Sequence, residues 1–284
     1  MEQTVHSFLM IGQSNMAGRG FLKDVKPIYD HQIKMLVNGR WQTMTEPINF
    51  DRPTSGIGLA ASFAGAWRLK NEQEHIGLIP CAEGGSSLAD WAVGGALFNN
   101  AVFQAKAAKR ISILDGILWH QGENDSFGGR SSVYADKLRE IIKALREELN
   151  AAEIPLIIGG LGDFLSGGRY GKYFTEFNSV NQSLRSFAEF NPHTYFVTAA
   201  GLTANADDLH FDALSQRKFG VRYFEAYNRR TNIPEPLAVE NTIIDNIQDR
   251  HLSKAEQTAL LEIKFSGGKI SLEEFEEQLS LISD

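Results

Sequence analysis

Phe8-Leu-Met-Ile11 is an unbroken apolar run that stops at Gly12 and opens into the polar turn Gln13-Ser14-Asn15. A strand with one wet face alternates apolar and polar residues, whereas a continuous run marks a strand buried on both faces, the habit of a parallel sheet covered by helices. Such a strand needs partners, and the chain supplies them. Apolar runs at 75–80, 116–119, 156–161 and 194–199 alternate with helical patterns at 58–70, 98–110, 131–150, 174–190 and 215–230. The clearest helix is 131–150, where Leu138, Ile141, Ile142, Leu145 and Leu149 make one apolar stripe and Pro155 follows the end. Five strands interleaved with helices predict an α/β fold, a three-layer sandwich around a five-stranded parallel sheet. In open sheets of this kind ligands bind beyond the carboxyl ends of the strands, and Ser14 falls just past the first.

Two regions lie outside this alternation. Residues 21–54 read as an elaborated loop with a small hairpin turning at Asn38-Gly39, between Met35-Leu36-Val37 and Trp41. Ile233-Pro-Glu-Pro236 reads as a boundary, because paired prolines disfavour helix and stiffen a connection. It divides the chain into a main domain, 1–232, and a linker with a small helical C-terminal appendage, 233–284. Within that extension, 267–275 superficially resembles the second half of an EF-hand loop. With Glu274 at the twelfth loop position, Ile263, Phe265 and Gly267 fall where oxygen-bearing side chains are needed, so calcium binding is not expected. A helical hairpin that packs on the body or mediates homo-oligomer formation is the expectation.

A formal charge of −7 argues against a nucleic-acid-binding surface and for a small or neutral substrate. Cys81 is the only cysteine, so no intrachain disulfide forms. The start of the chain has no basic segment followed by an apolar stretch and cleavage site. No apolar run approaches the roughly 20 residues that cross a bilayer. These features predict a soluble cytoplasmic protein with no membrane partner.

Four segments that follow predicted strands carry chemically useful side chains: Ser14, then Gly84-Gly85-Ser86-Ser87, then Gln121 and Glu123, and finally Asp207 and His210. Gathered at one sheet edge, they provide a hydroxyl, a histidine base, an orienting carboxylate and donors for an anionic oxygen, the set needed for acyl transfer. A free imidazole titrates near pH 6.5, which suits a base at neutrality. His120, Glu123, Asp207 and His210 also form a possible zinc set, but that reading leaves the Ser14 turn and the glycine pair without a purpose.

Gly12-Gln13-Ser14-Asn15-Met16, Gly84-Gly85-Ser86 with Trp91 after it, His120-Gln121-Gly122-Glu123-Asn124-Asp125, and Asp207-Asp208-Leu209-His210 occur in this order over about residues 7–228. Together they resemble the SGNH-hydrolase superfamily, and within it the sialate O-acetylesterase and acetylxylan esterase branch of carbohydrate esterase family 6 type. The resemblance implies a flavodoxin-like fold and hydrolysis of acetyl esters on small carbohydrates through an acetyl-enzyme, without metal or other cofactor. By the same resemblance Ser14 is the nucleophile and His210 its base. Asp207 or Glu123 orients the histidine, or Glu123 stabilises the loops instead. The Ser14 and Gly85 amides and the Gln121 side chain, where many members have asparagine, form the oxyanion hole. Gln13, Asn15 and Trp91 are the candidate substrate contacts. An esterase for longer acyl chains, a lipase or thioesterase, and a non-catalytic sugar-binding module derived from an esterase are the alternatives.

Overall fold

Phe8 and Met10 point to one face of the first strand and Leu9 and Ile11 to the other, and none is more than 1% exposed. Covering both faces is what the rest of the chain does. The computed structural model describes residues 4–283. Its elements run β1 (Val5–Gly12), α1 (Ser14–Ala17), β2 (Ile33–Val37), β3 (Arg40–Thr43), α2 (Ala60–Arg68), β4 (His75–Pro80), α3 (Ala96–Ala108) and β5 (Ile113–His120). They continue with α4 (Tyr134–Leu149), β6 (Leu156–Gly159), α5 (Phe177–Phe190), β7 (Thr194–Val197), α6 (Ala213–Arg229), α7 (Glu240–Gln248), α8 (Lys254–Ser266) and α9 (Leu272–Ser283). Helices α3, α4 and α5 cover the face of Leu9 and Ile11, and α2 and α6 cover the face of Phe8 and Met10.

The sheet has seven strands in the order β3-β2-β4-β1-β5-β6-β7, so the expected count of five is corrected. The two additional strands are the hairpin. Asn38 and Gly39 both take positive φ, 50° and 74°, as a tight two-residue hairpin turn requires. The hairpin is not a separate flap. β2 runs parallel to β4 and extends the sheet, while β3 pairs antiparallel at the edge. The reason is in Ile33, Met35 and Leu36, apolar on both faces of β2 and all buried. A strand of that composition cannot stand free in water.

β1 lies between β4 and β5. The connection into β4 passes through α2 on one face and the connection out of it through α3 on the other. A crevice opens beyond the carboxyl ends of strands where the chain changes sides in this way. At its base, Gly12 has a φ of +131°, and a Cβ on it would lie 2.0 Å from the His120 carbonyl oxygen. Only glycine allows that approach.

After α6 the chain returns to the sheet. Ile233 donates its amide to the Phe196 carbonyl and accepts from the Thr198 amide, both at 2.8 Å. Helix α7 packs against α2, with Ile247 over Gly65, and its Glu240 pairs with Arg222 of α6 at 2.6 Å. Helix α8 begins with a capping box between Ser253 and Glu256. Glu274 does the same work at α9, accepting from the Ser271 amide at 2.7 Å while its own amide donates to Ser271 Oγ. Among the described residues no helix is long and apolar enough to cross a membrane.

Glu256 also accepts from Arg250 at 2.7 Å and from the His31 amide at 3.0 Å, which ties α8 to the loop before β2. Burial raises the pKa of this carboxyl, but the bonds from Arg250, His31 and Ser253 outweigh that and hold it down to about 2. A depressed carboxyl pKa stabilises the fold above the unfolded value and loses that contribution as pH falls through the folded one. Glu256→Gln is therefore expected to lower stability by about 1–3 kcal/mol at neutral pH. In thermal melts across pH, the gap to the native protein should close between about 4.5 and about 2.

Candidate active site

Gly12 turns the chain out of β1, and Ser14 opens the single-turn helix α1 at the mouth of the crevice, 5% exposed. His210 arrives from the loop between β7 and α6. That loop is shaped locally: Asp208 adopts a φ of +55°, and Asp212 caps α6 by accepting from the Ser215 amide. Asp207 Oδ1 accepts the amides of Leu209 and His210, both at 3.0 Å, so the carboxylate folds back over its own turn. Its Oδ2 meets His210 Nδ1 at 2.7 Å, and His210 Nε2 lies 3.0 Å from Ser14 Oγ. A carboxylate accepts only, so Nδ1 carries the proton and Nε2 offers its lone pair to the serine hydroxyl. Burial raises the pKa of Asp207, but the bonds from the His210 ring and from the two amides prevail and hold it at about 2.

The donors come from the loop after β4. Gly85 has a φ of +79°, and a Cβ there would meet only Arg52 Nη2 at an ordinary contact distance of 3.8 Å, so its conformation rather than crowding calls for glycine. Among the described residues the amides of Ser14 and Gly85 have no protein acceptor. Both residues border a cavity of about 390 Å³ that also includes His210, Asn124, Phe174 and Leu209.

Other residues singled out from sequence sit elsewhere. Gln121 is fully buried, and its Nε2 donates to Asp125 at 2.6 Å and to Gln13 Oε1 and the Ser86 carbonyl at 3.2 Å. With those acceptors it has no proton to offer an oxyanion, which corrects that assignment. Asn124 is the residue at the cavity, with Nδ2 donating to the Gly85 carbonyl at 2.7 Å. The run Gly122-Glu123-Asn124-Asp125 thus holds a second side-chain amide, three residues beyond Gln121.

Glu123 does not touch His210; Asp207 occupies that position. The Glu123 carboxylate is buried and accepts from Asn15 Nδ2 at 2.5 Å. Asn15, expected at the substrate, is 2% exposed, and its Oδ1 accepts the Phe211 amide, so it braces the loop that carries His210. Gln13 reaches the cavity wall, yet its Oε1 accepts from Gln121, Gly122 and Asn124. Trp91, expected to stack on a sugar, is 1% exposed. Its indole donates to Ser86 Oγ at 3.0 Å and packs edge-on against Trp119, so it is core.

His120 is fully buried between Phe211 and Phe219, donates Nε2–H to the Gly160 carbonyl, and is pushed by burial below the ordinary histidine pKa. Among the described residues no three His, Cys, Asp or Glu side chains are grouped to hold a metal ion. Arg19, Asp51 and Arg52, none of them marked from sequence, surround the glycine pair.

A family model described as carbohydrate esterase, sialic acid-specific acetylesterase, matches residues 4–229. The chain belongs to this family. It is 29% identical over 242 residues to the "Probable carbohydrate esterase At4g34215" of Arabidopsis thaliana, covering 78% of this chain and 89% of that one. The crystal structure of that Arabidopsis protein superposes with a TM-score of 0.71 at 26% identity, over 80% of this chain and 98% of the other. NanS gives a TM-score of 0.66 at 15% identity, over 80% and 98% of the two chains, a likeness of fold. XAC1771, a carbohydrate acetylesterase from Xanthomonas citri, gives 0.60 at 18% identity, over 80% of this chain and 56% of that one, again a likeness of fold. The esterase is thus a carboxylic ester hydrolase on an α/β fold.

In this esterase Asp207→Asn is expected to lower kcat by two or more orders of magnitude, because an amide in place of the carboxylate no longer enforces the tautomer that leaves Nε2 free. Native Asp207 stays ionised down to about pH 2. The deficit should therefore persist through neutral and alkaline pH, which a pH–rate profile of both proteins checks.

Proposed function

We propose that the esterase removes O-acetyl groups from sugars through an acetyl-enzyme on Ser14. The observation that carries this reading is the 3.0 Å contact between Ser14 Oγ and His210 Nε2, made across 196 residues of chain and continued to Asp207. Ser14 Oγ attacks the acetyl carbonyl carbon while its proton passes to His210 Nε2, and the carbonyl π pair moves onto oxygen. The Ser14 and Gly85 amides receive that anion, with the second Nδ2 proton of Asn124 beside them. Collapse of the intermediate breaks the bond to the sugar oxygen, which takes the proton from His210. Water then attacks the acetyl carbonyl with His210 as base, and Ser14 recovers its proton from His210 as acetic acid departs and ionises in the solvent. The Asp207 carboxylate favours the imidazolium formed in each half.

The sugar we propose is acidic, of the sialate kind rather than a neutral xylo-oligosaccharide. The family points that way, and Arg52 supplies a chemical reason. Its half-exposed guanidinium borders the cavity, with Nη2 on the Gly84 carbonyl and 3.7 Å from Glu83 Oε1. A planar fork of donors suits a carboxylate.

Ser14→Ala is expected to fold as the native protein does and to release no acetate from p-nitrophenyl acetate. Asn124→Ala should retain activity reduced by about one to three orders of magnitude, the scale of losing one oxyanion donor. Undiminished turnover by the Ser14→Ala protein would refute the reading. For the sugar, Arg52→Ala is expected to cut kcat/KM for O-acetylated sialic acid by about tenfold or more beyond whatever it costs acetylated xylose, the latter loss reporting the missing bond to the Gly84 carbonyl alone. Equal losses on both would remove the acidic-sugar assignment.

A further inference from the structure

Asp51 lies in the segment between β3 and α2, and its side chain is 1% exposed. Its two oxygens accept from five donors. Arg19 Nη2 and the Gly84 amide reach Oδ2 at 2.5 and 2.8 Å. Arg19 Nη1, Asn49 Nδ2 and Ser55 Oγ reach Oδ1 at 3.2, 3.2 and 2.9 Å. Burial raises the pKa of this carboxyl, and the bonds from Arg19, Ser55 and Gly84 bring it below the ordinary aspartate value.

Four of those donors bind Asp51 in place, and the fifth is the peptide next to Gly85. The other side of the same residue is held too, since Arg52 Nη2 donates to the Gly84 carbonyl at 2.7 Å. Gly84 is packed between these groups. A Cβ there would come within 2.5 Å of Arg19 Nη2 and 2.7 Å of Asp51 Oδ2. Arg19, for its part, is joined to the loop of the base. Its carbonyl accepts from Asn205 Nδ2 at 2.8 Å, and the Asn205 amide donates to the His210 carbonyl at 2.7 Å. The Arg19–Asp51 pair therefore links the loop that bears Gly85 to the loop that bears His210, with the nucleophile's own turn between them.

We propose that Asp51, through its bond to the Gly84 amide and its bidentate pair with Arg19, is a positioning residue that holds the Gly85 amide where the ester's anionic oxygen forms. The inference rests on the proposed serine mechanism. A buried ion pair adds little net stability over apolar packing, so its directional geometry is what the fold gains from it. Misplacement of a catalytic donor by about 1 Å costs on the order of a hundredfold in rate. The group displaced here acts on charge that exists only in the transition state, so the effect belongs in kcat and not in KM.

The test is Asp51→Asn, which keeps the shape but lacks the charge and one acceptor. In the full-length enzyme with p-nitrophenyl acetate, kcat is expected to fall by about ten- to a hundredfold with KM within about threefold. Inhibition by methylboronic acid, whose tetrahedral adduct on Ser14 places an oxygen anion in the same donors, should weaken in step with kcat. The pH–rate profile should keep its shape, since His210 and Asp207 are untouched.

A folded variant with native kcat, a loss seen only in KM, or a shifted acid limb would overturn the proposal. If Asp51→Asn does not fold, Ser55→Ala, which removes one bond to Oδ1, serves instead. A drop in kcat of about threefold with matching loss of boronate affinity supports the role, and native values for both overturn it. Should Ser14→Ala remain active, the serine mechanism fails first. A dead Ser14→Ala with a fully active Asp51→Asn defeats this inference alone.

Discussion

At the tip of β1 the main chain of Gly12 lies flush against the main chain of His120, and the position of every functional loop follows from that contact. The next amide, of Gln13, donates to the His120 carbonyl at 2.8 Å, and the Gly12 carbonyl accepts the Glu83 amide at 3.0 Å. One residue thus joins the ends of β1, β4 and β5. The Ser14 turn, the Gly84-Gly85 loop and the Gln121–Asp125 turn leave the sheet from these three ends. Any side chain at position 12 would drive the His120 carbonyl away and move Ser14 relative to Gly85. The sheet edge is accordingly built without tolerance, and a rigid base of this sort allows loops to carry precise chemistry.

Polar groups beneath the cavity include those consumed by one another and those left facing the space, while Gln121 Oε1, Glu123 Oε2 and His120 Nδ1 are buried without a hydrogen-bond partner among the described residues. Asn15 is the hub of the first kind. It takes the Phe211 amide on Oδ1 and gives Nδ2 to Glu123, so the turn after β1, the turn after β5 and the loop before α6 share one side chain. Asp125 joins the β5 turn to the β4 loop in the same manner, through Gln121 and the Leu88 amide. Burial raises its pKa, and those bonds only partly offset the rise. In a low-dielectric interior such networks gain strength when complete. The amides of Ser14 and Gly85 are of the second kind. An unsatisfied donor at a cavity costs free energy in the resting protein, and that same want of a partner makes it useful to a developing anion.

Much of this organisation was legible in the sequence. The five continuous apolar runs became β1, β4, β5, β6 and β7, since an unbroken Val/Ile/Leu-rich run has few places to go except the middle of a covered sheet. Asn38-Gly39 declared its turn, but local chemistry says nothing about where a hairpin docks, so the sixth and seventh strands of the sheet were out of reach. Ser14, His210 and Asp207 were marked as a set because each stands in a short motif whose residues act on their neighbours, and the structure brings the three into contact. Gln121, Trp91 and Asn15 were misread for one reason. A polar or aromatic residue beside a functional one has two sides to turn toward, and the choice depends on acceptors such as Asp125, Ser86 and Glu123 that lie up to 108 residues away.

The long segment between β1 and α2 hides its order in a different way. Apolar residues such as Ile28, Met44 and Ile48 anchor it, but three carboxylates set its path. Asp30 pairs with Arg68 of α2 at 3.1 Å, Glu46 with Arg217 of α6 at 2.6 Å, and Asp51 with Arg19 after α1. All six side chains are less than a tenth exposed. Hydrophobic contact is indifferent to direction, and a loop held by it alone can slide. An arginine fork on a carboxylate fixes both distance and orientation. Removing one member of a buried pair leaves a bare charge at a cost of about 3–5 kcal/mol, so each is kept for the geometry it imposes. Outside α1, β2 and β3 the segment has no helical or strand period, because its order is written in these pairs, and the last of them delivers its carboxylate to the Gly84 amide. The core holds this segment in depth through Ile28, Met44 and Ile48, and the three ion pairs hold it in direction.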